Sequence, residues 1–143
     1  MLGRYERSGR SFPWRETRDP WAILVSEVML QQTGTERVRP KYLAWMARYP
    51  EPAALAAASL AEVLELWSGL GYNRRALALV RAASALASRP DFPRDEPSLL
   101  TLPGVGPYTA RAVLAFAFDV PVVLIETNIR AVFLESFFPG LSG

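Results

Sequence analysis

Two glutamates occupy positions in the sequence where a carboxylate could take part in acid–base chemistry. Glu27 lies within an apolar helical pattern in SEVMLQQT, and Glu126 follows the apolar run VVLI directly and precedes Thr127 and Asn128. Apolar surroundings favour the protonated form of a carboxylic acid, which can then donate a proton near neutral pH. The alternatives are a surface glutamate on a half-exposed helix at Glu27 and a plain helix cap at Glu126.

The composition limits which other groups can do chemistry within this chain. The 143 residues contain no cysteine and no histidine, so the chain holds no disulfide, no iron–sulfur ligand and no Ser-His or Cys-His pair. Acid–base work must therefore use Asp, Glu, Lys or Tyr. The net charge is only +2, but Lys41 is the single lysine, and arginine suits bidentate contacts with phosphate. A net charge this small is weak support for nucleic-acid binding by itself.

Length and hydropathy favour one soluble domain with a core. Half of the residues are hydrophobic, and the length matches about one domain. No run of about eighteen apolar residues lacks a charge, so no membrane span is predicted. The N-terminal MLGRYERSGR lacks the apolar core of a signal peptide. We therefore expect a cytoplasmic protein that does not bind membranes.

The apolar spacing and the breaker residues predict an all-α fold with no convincing strand. Alanine and leucine favour helices, and prolines, glycines and caps divide the chain into about eight short ones. Asp19 as a cap and Pro20 as a first residue predict a helix that runs to about Gln32. Pro107 predicts the start of PYTARAVLAFAF, and a final helix is expected over residues 126 to 138.

A glycine turn, LPGVGPYTA, is the strongest local signal of a binding site. Glycine allows close approach of the backbone to a ligand and permits positive φ. A turn before a helix directs free N–H groups and the positive end of the helix dipole toward one point. Gly104, Val105 and Gly106 are therefore predicted to bind phosphate, and the carbonyls of Leu102 and Val105 could hold a monovalent cation. The alternative is an ordinary turn between two helices with glycine caps.

The segment GLGYNRRA combines a glycine turn, an aromatic residue and two arginines at a helix start. Leu70 and Tyr72 at its tip could push into a base stack, and the alternative is that both side chains pack inward. The candidates for phosphate or base-edge contacts are Arg74, Arg75, Gln31 and Gln32. The aromatic residues interpreted mainly as core are Trp14, Trp21, Trp45 and Trp67.

The order and spacing of five segments resemble the helix-hairpin-helix DNA glycosylase superfamily, and most closely its MutY-type adenine DNA glycosylases. The segments are PWR (13 to 15), DPWAILVSEVMLQQT (19 to 33), LWSGLGYNRRA (66 to 76), LPGVGPYTA (102 to 110) and ETNIRAV (126 to 132). The resemblance spans roughly residues 11 to 135. PWR together with SEVMLQQT is specific for the MutY-type branch, whereas endonuclease III and its relatives share LPGVG.

The resemblance implies an all-α, six-helix glycosylase domain at residues 19 to 135, with a helix-hairpin-helix at about 97 to 118. Residues 1 to 18 would belong to a second lobe that is largely missing, and residues 136 to 143 would be a truncated C-terminus. The implied activity is that of a monofunctional DNA glycosylase of base excision repair. It would hydrolyse the N-glycosidic bond of adenine mispaired with 8-oxoguanine or guanine, after flipping the base out of the stack.

The resemblance also implies roles for individual residues. Glu27 matches the catalytic glutamate that protonates adenine N7, and Glu126 matches the position of the catalytic aspartate that stabilises the oxocarbenium-like sugar. Tyr108 stands where bifunctional relatives carry a Schiff-base lysine, so no lyase step is expected there. Asn128 matches the asparagine that braces this loop. The residues implied to contact DNA are Gln31, Gln32, Thr33, Leu70, Gly71, Tyr72, Arg74, Gly104, Val105, Gly106 and Thr109.

One departure from the family concerns the second carboxylate. Glu126-Thr127-Asn128 stands where the family usually has Asp-Gly-Asn, and the extra methylene moves the carboxylate by about 1.5 Å. A misplacement of that size can cost on the order of 100-fold in rate unless the pocket is rebuilt around it.

The resemblance further implies which partners and cofactors to expect. The partner would be double-stranded DNA with a mismatch or lesion, bound by a monomer at the bacterial nucleoid. No metal and no cofactor are expected in this chain, since the family's [4Fe-4S] cluster would lie beyond residue 143. Two alternatives remain open: a glycosylase for another mismatched or damaged base, and a non-catalytic helix-hairpin-helix DNA-binding module. The second alternative predicts salt-dependent duplex binding without base release.

Overall fold

The computed structural model of the chain describes residues 12–121, together with the backbone of residues 136–138 and 140–141. All regular structure within residues 12–121 is helical, which confirms the all-α prediction for that part of the chain. The elements are a 3-10 helix η1 (Pro13–Arg15), α1 (Pro20–Leu30), α2 (Thr35–Arg48), α3 (Pro52–Ala56), α4 (Leu60–Trp67), α5 (Asn73–Ala87), α6 (Glu96–Leu100) and α7 (Pro107–Phe118). No helix in the described part of the chain is long and apolar enough to cross a membrane.

The starts of the helices follow from local capping residues. The Asp19 carboxylate accepts a hydrogen bond from the Trp21 N–H at 3.1 Å, ahead of the proline that begins α1. Ser59 and Asp95 cap α4 and α6 in the same way, and Pro107 is the first residue of α7. Such caps satisfy N–H groups that have no partner inside the helix. The predicted starts of α1 and α7 are therefore confirmed.

The end of α1 differs from the prediction by a few residues. The helix ends at Leu30 rather than at about Gln32, which has a left-handed φ of 64°. Carbonyls of the last turn accept hydrogen bonds from the distant Arg75 side chain instead of from a further helical turn. A tertiary contact therefore ends the helix, and the local sequence carries no sign of it.

The C-terminal stretch differs from the predicted final helix. Residues 126 to 135 lie outside the described residues, but Ser136–Phe138 forms a short strand, β1, that pairs antiparallel with β2, Gly140–Leu141. Phe138 precedes a proline in the sequence, and the residue before proline is disfavoured in the helical region. The helical prediction is therefore wrong over residues 136–138.

The core forms around aromatic side chains and the central helix α1. All four tryptophans are buried, as predicted. Trp45 packs edge to face on Trp67, with ring centroids 5.5 Å apart. Helix α1 is buried from Trp21 to Met29 and contacts α2, α5 and α7. A helix that is apolar on nearly all sides is expected at the centre of a domain. Helix α1 therefore positions Glu27 within the core.

Candidate active site and nucleic-acid interface

Glu27 is buried on α1, with an exposed fraction of 5%. Arg15 reaches it from η1, and its Nη2 donates a hydrogen bond to Glu27 Oε2 at 3.1 Å. Among the described residues, Oε1 of the same carboxylate has no hydrogen-bond partner. A buried carboxylate needs such a cationic partner, because an unpaired charge in the interior is costly. Glu27 is therefore not the exposed surface glutamate of the alternative interpretation.

Arg15 is a site residue that the sequence did not single out beyond its place in the PWR segment. Besides its ion pair with Glu27, its guanidinium lies 4.0 Å from the centroid of the Phe116 ring on α7. It also lines a cavity of about 250 Å³. The residues around this cavity are Trp14, Arg15, Glu16, Thr17, Arg18, Ala115, Phe116 and Asp119. Arg15 therefore connects a small cavity to the buried carboxylate.

Tyr108 lies in the first turn of α7, near Glu27. Its ring is partly exposed, but burial around the hydroxyl raises the pKa of Tyr108 to about 12. The negative charge of Glu27 raises this pKa further, and the positive charge of Arg15 lowers it. The phenol is therefore neutral at physiological pH and can donate a hydrogen bond close to the carboxylate. It carries no amine, so it cannot form a Schiff base.

A surface groove of about 730 Å³ lies between the α1–α2 loop and the α4–α5 loop. Its lining residues are Gln32, Thr33, Gly34, Thr35, Glu36, Arg37, Gly69, Leu70, Gly71 and Tyr72. Gln32 and Tyr72 both have positive φ, at 64° and 52°. Backbone strain of this kind costs about 1–3 kcal/mol per residue and persists where the surrounding structure dictates it. Strained residues of two separate loops thus meet in one groove.

The side chains in the groove do not all point outward. Tyr72 is 55% exposed and Gln32 is exposed, as a residue that contacts a duplex must be. Leu70 is instead packed into the core, with an exposed fraction of 4%. Burial of a leucine side chain contributes about 1.5–3 kcal/mol, which favours this inward position. The prediction of Leu70 as an exposed wedge is therefore wrong for this structure, whereas Tyr72 lies where the prediction placed it.

Arg75 is the second site residue whose position differs from the prediction. It is buried, with an exposed fraction of 8%, and burial lowers its pKa from the ordinary value, with an opposing effect of Tyr72. Its Nη1 donates to the carbonyls of Val28 (2.8 Å), Met29 (3.1 Å) and Gln31. Its Nη2 donates to Thr33 Oγ1 (3.0 Å) and to the carbonyls of Leu70 (3.2 Å) and Gly71 (3.3 Å). Arg75 is thus an internal residue, and Arg74 beside it is exposed and available for a phosphate.

The predicted helix-hairpin-helix is present as α6, a glycine turn and α7. Gly104 has a φ of 80°, and a Cβ built on it would lie 2.9 Å from the Ala78 Cβ of α5. Both the positive φ and the close approach require glycine at this position. Gly106 is extended and caps the twelve-residue α7. Within the described residues, no backbone acceptor pairs with the N–H groups of Gly104, Gly106, Tyr108 and Thr109.

Two side chains near the turn form a hydrogen bond with each other. The Thr109 side chain is buried, and its Oγ1 accepts a hydrogen bond from Gln31 Nε2 at 3.3 Å. These two side chains therefore join the end of α1 to the first turn of α7, and the DNA contacts of Gln31 and Thr109 stay predictions. The carbonyl of Leu102 accepts the N–H of Val105 at 3.2 Å. A cation at the carbonyls of Leu102 and Val105 stays a prediction.

Two predicted catalytic residues, Glu126 and Asn128, lie outside the described residues. The described part of the chain contains no group of three or more His, Cys, Asp or Glu side chains that could hold a metal ion. With no cysteine among its 143 residues, the chain provides no thiolate ligand for an iron–sulfur cluster. The described residues that the structure places together at the buried carboxylate are therefore Glu27, Arg15 and Tyr108.

Comparisons with known proteins agree with this architecture. Residues 25–138 match the family model described as HhH-GPD superfamily base excision DNA repair protein. The chain is 50% identical to the adenine DNA glycosylase of Mycolicibacterium smegmatis over 92% of its own length and 46% of that protein. It is 38% identical to the human adenine DNA glycosylase over 92% of its own length and 26% of that protein. The chain thus spans less than half the length of these relatives.

Two solved structures have a similar fold. A thermostable thymine-DNA glycosylase matches with a TM-score of 0.76 and 32% identity, over 80% of this chain and 54% of that one. A trapped endonuclease III–DNA covalent intermediate matches with a TM-score of 0.72 and 28% identity, over 79% of this chain and 55% of that one. The family match covers more than half of the chain and includes Glu27, the groove and the glycine turn. The chain belongs to the HhH-GPD superfamily of base excision DNA repair proteins.

Proposed function

We propose that the protein is a monofunctional DNA glycosylase that hydrolyses the N-glycosidic bond of adenine mispaired with 8-oxoguanine or guanine. The observation that carries this proposal is the buried Glu27, paired with Arg15 at 3.1 Å, on the helix that leads into the groove. A carboxyl group held in the interior can transfer a proton to a flipped base out of contact with bulk water. The adenine DNA glycosylase relatives support adenine as the base.

Glu27 supplies the proton in this proposal. Glu27 acts in its protonated form, with the proton taken up from solvent as the flipped base enters. This proton moves to adenine N7, and the C1′–N9 bond breaks with its electron pair leaving on the base. Water then forms the new bond to C1′, and its proton passes to the Glu27 carboxylate. Because Oε2 accepts the hydrogen bond from Arg15, Oε1 is the oxygen that would transfer the proton. We propose that Glu126 stabilises the positive sugar and that Asn128 braces its loop.

Residues other than Glu27 would bind the duplex. The free N–H groups of the turn at Gly104 and Gly106 suit a phosphate oxygen, and the N-terminal end of α7 adds a favourable dipole. Arg74 is exposed at the start of α5 and suits a second phosphate. Tyr72 and Gln32 in the groove would contact the bases around the lesion. DNA complexes of endonuclease III, a structural neighbour, support DNA as the partner.

Tyr108 supports the monofunctional assignment. A lyase step requires an amine that attacks the sugar and forms a Schiff base, and tyrosine has none. The neutral phenol near Glu27 can instead donate a hydrogen bond to substrate or water. We further propose that residues 19 to 135 form the glycosylase domain and that residues 1 to 18 belong to a second lobe. Action on chromosomal DNA would place a bacterial protein at the nucleoid.

Single-turnover assays on defined duplexes test the proposal. Purified protein in excess should release adenine from A:8-oxoguanine and A:G duplexes, and should release no base from a matched A:T duplex. A T:G duplex tests the second candidate, a thymine glycosylase, which the similarity to the thermostable thymine-DNA glycosylase favours. Thymine release without adenine release would replace the first proposal by the second. Salt-dependent binding without release of any base would support the non-catalytic module and contradict both.

A further inference from the structure

Arg75 is a buried cation without a carboxylate partner among the described residues. Within residues 12–121, its six acceptors are all backbone carbonyls or a hydroxyl, and its Nε has no hydrogen-bond partner. Removing a guanidinium from water is costly, and a well-packed apolar side chain at such a position is often as stabilising or more so. Stability alone therefore gives a poor account of an arginine at this position.

The two Nη atoms of Arg75 divide their bonds between two parts of the molecule. Nη1 holds the carbonyls of Val28 and Met29, the residues that follow Glu27 on α1. Nη2 holds Leu70 and Gly71, in the loop that lines the groove. The planar guanidinium sets the separation of these two groups of acceptors, which the single ammonium of a lysine cannot do. Arg75 thus joins the helix of the buried carboxylate to the wall of the groove.

Two aromatic rings extend this connection to the surface. The guanidinium carbon of Arg75 lies 5.4 Å from the Trp67 ring and 5.6 Å from the ring of exposed Tyr72. Trp67 itself donates from Nε1 to the carbonyl of Gly71 at 2.9 Å. Thr33 adds a direct link between the loops, since its Oγ1 bonds the Leu70 carbonyl at 3.3 Å. Arg75 therefore contacts residues next to both left-handed residues, Gln32 and Tyr72.

We propose that Arg75 is a positioning residue that fixes the groove loops relative to the Glu27 helix. A duplex held in the groove would then present its flipped base to Glu27 in one geometry. This inference rests on the proposed glycosylase function, but the coupling of the loops belongs to the free protein and can be measured without DNA.

The test compares Arg75→Lys with Arg81→Lys, a charge-conserving change at an exposed position of the same helix. Hydrogen–deuterium exchange of the free protein should rise at residues 31 to 34 and 69 to 72 in Arg75→Lys and stay at the wild-type rate elsewhere. The indole N–H signal of Trp67 in ¹⁵N NMR spectra should shift, because its acceptor Gly71 loses the second donor. Arg81→Lys should match the wild type in both measurements.

Kinetics separate positioning from a general loss of structure. The plateau rate of base release at saturating protein should fall about 10- to 100-fold in Arg75→Lys, as expected for a displaced reacting group. Its affinity for an undamaged duplex, which depends on the phosphate contacts of the glycine turn and Arg74 and not on the contacts around a lesion, should change by less than about twofold. Wild-type loop exchange together with a wild-type plateau rate would overturn the proposal. Faster exchange in all helices would also overturn it, since Arg75 would then support the fold as a whole.

A second variant keeps the proposal testable if Arg75→Lys does not fold. Thr33→Val removes one Arg75 acceptor and the direct bond to Leu70, at a half-buried position outside the core. It should increase exchange in the same two loops, and unchanged exchange would count against the coupling. If the wild type releases no base from any duplex, the proposed function fails, whereas the exchange data still decide whether Arg75 couples the loops.

Discussion

Glu27 and Gln32 lie close together in sequence, but they occupy contrasting regions of the molecule. Glu27 belongs to a buried centre, in which Arg15 pairs with the carboxylate on the central helix and Tyr108 lies near it. Gln32 belongs to an exposed groove, in which two loops with left-handed residues face solvent. The buried centre suits a proton transfer that needs a fixed geometry, and the groove suits a partner that is itself deformed on binding. In the proposed function, Glu27 would thus carry out the proton transfer and Gln32 would contact DNA, although both lie on one short chain segment.

The largest expected effect is at the buried centre. Glu27→Gln removes the transferable proton but keeps the size of the side chain, so the single-turnover rate of adenine release should fall by about 10²- to 10⁴-fold. Duplex affinity in an electrophoretic or anisotropy assay should stay within about threefold of the wild type, because the groove and the turn are unchanged. Glu65→Gln, at an exposed position of α4, is the matched control and should retain the wild-type rate. A wild-type rate in Glu27→Gln would remove this residue from the mechanism.

The next effect concerns the strained groove. Gly71 has a φ of 75°, and no atom lies within 4 Å of the place where a Cβ would stand, so Gly71→Ser meets backbone strain alone. Its free energy of unfolding should fall by about 1–2 kcal/mol, the cost of a left-handed backbone for an ordinary residue. Gly34 lies in the same groove with an ordinary φ of −74°, and the space for a Cβ is also open there. Gly34→Ser should therefore be neutral or stabilising as a cap of α2, and equal losses in both variants on urea denaturation would contradict this account.

A smaller effect reports on the edge of the buried centre. The pKa of Tyr108 in the folded protein, about 12, lies above its ordinary value of 10.0. Below about pH 10 the phenol is protonated in both states, so its contribution to stability is fully present there. Between about pH 10 and 12 the unfolded state loses the proton first, so this contribution is lost as pH rises. Tyr108→Phe should make the free energy of unfolding fall less steeply over this range.

Two other tyrosines of the chain provide the control for this titration. Burial also raises the pKa values of Tyr42 and Tyr49, so the wild type and Tyr108→Phe share their alkaline destabilisation. The difference between the two proteins isolates Tyr108. Absorbance of the phenolate should likewise lose its highest-pH component in Tyr108→Phe. Loss of a component near pH 10 instead would mean that the Tyr108 hydroxyl is solvated and stands apart from the buried centre.

The sequence predicted those features that depend on neighbouring residues. Asp19 and Pro20 mark the start of α1, and Pro107 marks the start of α7, because caps and prolines act within one turn of helix. Glycines in LPGVGPYTA predicted the tight turn, and the structure adds that Gly104 also needs space against Ala78. Local chemistry therefore accounts for the helices and for the turn between α6 and α7.

Features that depend on distant residues could not be predicted in this way. Arg75 ends α1 and holds two loops through atoms far away in sequence, so its charge alone indicated a phosphate contact. Leu70 points inward because the core accepts it, although a leucine at a glycine turn also fits a wedge. Arg15 became recognisable as the partner of Glu27 only when η1 was placed against α1. In each case the missing information was a tertiary contact.

The separation of chemistry from recognition is tested most directly by the dependence of adenine release on protein concentration. Single-turnover rates on an A:8-oxoguanine duplex should be measured for the wild type and for Tyr72→Ala, which removes the exposed ring from the groove. Loss of a base-stacking ring costs about 1–3 kcal/mol, so the half-saturating concentration should rise about 5- to 150-fold. The plateau rate should stay at the wild-type value, because Glu27 is untouched. A plateau that falls while the half-saturating concentration stays constant would contradict this separation.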